Sequence, residues 1–99
     1  MPKLEITKIN IEEHVLHVYS SGKIDSKEGD YQIHLTANDG QIDYGPTGIS
    51  TDKEGNFVAL KSVGMDQSLK NVTIVLEKDN QPLMTSRWRF NNGKWSKEK

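Results

Sequence analysis

Three histidines, a run of oxygen-bearing residues at Asp52, Glu54 and Asn56, and the interleaved Arg87-Trp88-Arg89-Phe90 are the stretches whose residue types suit chemistry. A metal site needs ligands that converge. His14 and His17 are an odd number of positions apart and face opposite sides of a strand, while His34 belongs to a different strand, so all three are expected as surface or edge residues. Asp52, Glu54 and Asn56 alternate as the oxygen ligands of a calcium loop do, but the pattern then breaks. Its sixth position, which should be glycine, is Phe57, and its twelfth, which should be a bidentate carboxylate, is Val63. A solvated hairpin tip is expected there, the alternative being a divalent site shared with Asp25, Asp30 or Asp66. No metal and no cofactor is assigned.

Catalysis finds little support in the remaining residues. Cysteine is absent, which removes thiolate nucleophiles, thiolate metal sites and disulfides together. No Gly-x-Ser-x-Gly elbow occurs, and Gly45 and Gly48 around Pro46 lack the spacing of a phosphate-binding loop. The acidic residues fall in turns and on polar strand faces, where they stay ionised and make poor general acids. The chain is therefore expected not to be an enzyme.

Arginine interleaved with aromatics suits single-stranded nucleic acid, through phosphate pairing and base stacking. Alternation along a strand gives a simpler account, with Trp88 and Phe90 in the core and Arg87 and Arg89 in water, facing Glu77 across the sheet. A net charge of -1 with interspersed signs leaves no concentrated positive field, so nucleic acid is disfavoured as a partner. Trp95 and Tyr44, with Arg87 and Arg89, are the residues expected to touch a ligand or a partner.

These side chains have to be positioned by strands. Apolar alternation and turn residues predict strands at 3–11, 14–21, 31–37, 41–44, 56–62, 70–78 and 83–91, with a short eighth at 94–96. The phase of the apolar residues shifts between Leu4-Ile6 and Ile9-Ile11, which predicts a bulge near Lys8 and a first strand that serves two sheets. Gly45-Pro46 is expected to end the fourth strand. The six residues 77–82 are expected to connect the sixth and seventh strands, and Asn92-Gly93 to make a tight turn that sets Phe90 opposite Trp95. Residues 63–71 are expected to cross between sheets as a loop or single 3₁₀ turn. The expected core is Leu4, Ile6, Leu16, Val18, Ile33, Leu35, Phe57, Ala59, Val72, Ile74, Leu76, Trp88 and Phe90.

At 99 residues this pattern makes one domain, with 96–99 as a flexible tail. The predicted fold is an all-β antiparallel sandwich of seven or eight strands. At the level of fold it resembles immunoglobulin-like or fibronectin type III-like sandwiches, without the disulfide pair of true immunoglobulin domains. The expected role is a noncatalytic interaction or structural module, part of a larger surface or phage-like assembly or a stand-alone binder. A protein partner or self-association is favoured over a small molecule. The alternative is a carbohydrate-binding module whose platform is Trp95 with Tyr44. No apolar run of signal-peptide or membrane-spanning length occurs, so a soluble chain is expected, either cytoplasmic or an excised extracellular domain.

Overall fold

A computed structural model describes residues 1–25 and 28–99. The chain folds as eight strands, β1 (Lys3–Glu12), β2 (Val15–Lys23), β3 (Tyr31–Ala37), β4 (Ile42–Gly48), β5 (Asn56–Gly64), β6 (Asn71–Lys78), β7 (Gln81–Asn91) and β8 (Lys94–Lys97). They form two antiparallel sheets, one of three strands in the order β1-β2-β5 and one of five in the order β4-β3-β6-β7-β8. This is a small all-β sandwich.

Alternation decides which side chains meet between the sheets. Leu16 and Val18 of β2 and Phe57 of β5 face Ile33, Leu35 and Ala37 of β3 and Val72, Ile74 and Leu76 of β6, and all are buried. Ile24, alone in its loop, is buried too, and its N–H donates to Gly55 O at 3.0 Å, so the loop after β2 is pinned to the start of β5. Leu69 is buried as well and anchors the β5–β6 crossing by its side chain, with no helical turn around it.

Several expectations are corrected by the register. β1 does not serve two sheets, because it hydrogen-bonds only to β2; the bulge between Ile6 and Lys8 instead keeps Leu4, Ile6, Ile9 and Ile11 against one core. β4 continues through Gly45-Pro46 to Gly48. It can do so because it is an edge strand, where proline needs no ladder donor, and because Gly45 takes φ 80° at a bulge that resumes pairing with Pro46 opposite His34. The link between β6 and β7 shrinks to Asp79-Asn80, at φ 49° and 65°, a pair that tolerates the left-handed region and makes a primed turn. Asn92-Gly93 makes the expected turn, and Phe90 lies opposite Trp95.

Phe90 leaves the core list. It is half-buried and packs on Trp95, ring centroids 4.8 Å apart and tilted by 41°. Of the stretch 96–99 expected as a tail, Ser96 and Lys97 lie in β8 and the Glu98 N–H donates to Arg87 O at 2.9 Å. No helix among the described residues is long and apolar enough to cross a membrane.

Candidate interaction surface

Strand order separates the residues that the sequence nominated. Tyr44 stands on β4 and Trp95 on β8, at opposite edges of the five-stranded sheet, and both are half-buried against the core. They do not form a joint platform for a sugar. Trp95 instead joins Trp88, Ile6 and Ile9 along a groove of about 420 Å³ between β1 and the β7–β8 hairpin. The Trp88 indole N–H is used internally, donating to Ser86 Oγ at 2.9 Å.

Arg87 and Arg89 do point outward, but their partners are not Glu77. Arg87 donates to Asp39 at 2.9 Å and to Glu98 at 3.1 Å, and Arg89 donates to the other oxygen of Glu98 at 2.8 Å. Asp39 first and Glu98 second hold the Arg87 guanidinium more firmly protonated than usual, and the two arginines hold the Glu98 carboxyl below its ordinary value. Two arginines bridged by one carboxylate are already engaged within the chain.

Glu77 belongs to a second network on the same outer face, which alternation alone does not reveal. His34 of β3 lies between neighbouring strands, its Nδ1 3.2 Å from Glu77 of β6 and its Nε2 2.7 Å from Asp43 of β4. Gln32 donates to Glu77 as well, and to Asn80 at 3.1 Å. The Asp43 hydrogen bond, opposed by partial burial and aided by Glu77, raises the His34 pKa above its ordinary 6.5. His34 in turn, then the Gly45 N–H, lowers that of Asp43. Because both ring nitrogens are held, neither is presented to a substrate. The two carboxylates flank the ring rather than converge, and no group of three metal-ligating residues among those described could hold an ion. His14 sits in the β1–β2 turn and His17 on β2, 2.7 Å from Ser62 Oγ, so the three histidines are not brought together. At the tip before β5, Asp52 accepts from the N–H groups of Asn56 and Glu54, at 2.9 and 3.0 Å, the Asn56 bond foremost in lowering its pKa, and its oxygens turn onto its own loop.

The outer face of the three-stranded sheet is of another kind. Val58 and Leu60 of β5 are 85% and 52% exposed, the most exposed large apolar side chains within any strand of the described residues. Tyr19 of β2 stands beside Leu60 and carries Lys8 Nζ 5.7 Å above its ring. Comparison finds no matching family model, curated protein or solved structure.

The backbone of β5 adds to what its side chains offer. Ile24 N–H bonds Gly55 O at one end and Met65 N–H bonds His14 O at the other, and the register between them has no shift. In an antiparallel ladder residues alternate between bonding the neighbour and facing away, so the odd-numbered residues from 55 to 65 bond β2. Val58, Leu60 and Ser62 therefore turn their N–H and C=O groups toward the open edge. Asn56 shares that direction but is satisfied, its C=O accepting from the Asp52 N–H at 2.9 Å and its N–H donating to the Asp52 carboxylate.

The other edges are guarded. β1 is broken by its bulge, β4 carries Pro46 and a bulge, and β8 is four residues long with Lys94 and Lys97. On β5 the single charge, Lys61, is folded across to Thr47 Oγ1 at 2.6 Å and leaves the edge free.

Proposed function

We propose that this chain is a noncatalytic interaction module of the immunoglobulin-like or fibronectin type III-like kind, binding a protein partner by strand addition along β5. The supporting observation is the conjunction at Val58 and Leu60 of open backbone groups with exposed apolar side chains, which supplies both the ladder and the burial that strand addition uses. The strand order supports the fold-level part, since β1-β2-β5 over β4-β3-β6-β7 follows the A-B-E and C′-C-F-G arrangement of such sandwiches. In a larger surface or phage-like assembly, such an edge would be the joint between neighbours.

A photoreactive amino acid placed at Val58, with a control at Thr85 on the outer face of β7, tests the reading in cells that make the protein. Position 58 is expected to give a discrete adduct to one protein, and position 85 none. Equal labelling from both positions, or none from position 58, would overturn it.

A further inference from the structure

We infer that the occupant of the β5 edge is the β5 edge of a second copy, in antiparallel register about a two-fold axis at Leu60. This rests on the strand-addition reading above and names its partner. The free backbone groups of β5 run from Val58 to Gly64, because Asp52 seals Asn56. An axis at Leu60 opposes Leu60 to Leu60 and Val58 to Ser62, so each of these open residues exchanges N–H···O bonds with another open residue. On the inner side the same axis sets Lys61 opposite Ala59. An axis at Lys61 would bring two lysines face to face, which disfavours that register.

Side chains and charge agree with the choice. Across the joined outer face, Lys8, Tyr19 and Leu60 would be followed by the same residues in reverse, giving a continuous apolar strip of two leucines between two tyrosines. The terminal lysines of that row would be roughly 24 Å apart at the usual strand spacing, beyond the screening length of about 8 Å at physiological salt. No carboxylate stands in the row, so a strongly basic partner strand finds nothing to pair with, whereas a copy meets its own apolar pattern.

The absence of cysteine makes the register directly readable, since any introduced thiol is unique. With the axis at Leu60, a cysteine there meets its own copy at a Cα separation of about 5.5 Å, inside the range a disulfide spans. A cysteine at Val58 would lie roughly 14 Å from its copy. Sedimentation equilibrium of the unmodified chain, from micromolar to millimolar, is expected to show a mass rising from 11.2 kDa toward twice that value. Leu60→Lys should abolish the rise, with tryptophan fluorescence verifying that the variant is folded. Under mild oxidation Leu60→Cys should cross-link far faster than Val58→Cys or the surface control Thr85→Cys.

A chain that stays monomeric throughout, with Leu60→Cys no faster than the control, overturns the self-pairing. If the photoreactive Val58 still captures a different protein, the edge is a binding site for another chain and only the choice of partner fails. If Val58 captures nothing, strand addition fails with it.

Discussion

The two outer faces of this sandwich are built from the same alternation and end in opposite states. On the five-stranded sheet, acids, arginines, His34 and Gln32 are paired with one another across β4, β3, β6, β7 and the residues after β8. On the three-stranded sheet, Tyr19, Val58 and Leu60 face outward beside an open edge. A polar face that satisfies itself has little left to offer a partner; an apolar face ending in unpaired backbone has both burial and hydrogen bonds in reserve. The charged cluster stands out in the sequence, yet the plainer face is the one that leaves apolar side chains and backbone groups open.

Both sheets stand on one core. Leu16 of the thin sheet and Ile74 of the thick one are both fully buried. Truncating either to alanine should cost about 2–5 kcal/mol in a single denaturant transition monitored by both circular dichroism and tryptophan emission. If Leu16→Ala melted the three-stranded sheet separately, the two faces would belong to independent folding units.

A smaller effect probes the thin sheet itself. A Cβ on Gly22 would fall 2.0 Å from Lys3 O and 2.5 Å from the Phe57 ring, so Gly22→Ala has to push β1 from β2 or shift a buried ring. It should cost about 1–3 kcal/mol by overpacking, while Gly64→Ala, with nothing within 4 Å of its Cβ, should stay within about 0.5 kcal/mol of the parent. Equal midpoints for the two variants in urea would mean that the thin sheet is more yielding than its geometry implies.

The smallest expected effect belongs to the polar face. With its folded pKa raised above 6.5, His34 contributes stability that is fully present below 6.5 and is lost as pH rises through the folded value. Relative to His34→Gln, the parent should be more stable by about 1 kcal/mol or less at the acid side of that window, still above the lowered pKa of Asp43. The advantage should vanish at alkaline pH. A difference that did not change with pH would show that the ring acts through packing, not charge.

Much of the architecture was legible because it is local. Period-two alternation located the strands, Asn92-Gly93 named its own turn, and the apolar phase shift in β1 announced its bulge. The errors have local causes too: Pro46 reads as a strand end unless the strand is known to lie at an edge, and Asp79-Asn80 was hidden in a longer polar run. The candidate surface was much less legible. Whether Leu60 is covered depends on β5 having no neighbour beyond β2, and the partners of His34 depend on a register that passes through a bulge in β4. Both are properties of strand order, which side-chain periodicity does not encode.

The tight turns also bear on when the structure can form. Asp79-Asn80 and Asn92-Gly93 enter the left-handed region with the residues best suited to it, whereas the β1–β2 turn asks the same of Glu13 and His14, at about 1–2 kcal/mol for each residue without a special preference. The β6–β7–β8 meander therefore closes locally without that cost, on the microsecond scale of hairpins. It is also made after β3, the central strand that must dock on β6. On the ribosome, the first strands to emerge would wait for the late-made meander, and the open edge of β5 would be exposed before the core that supports it has closed.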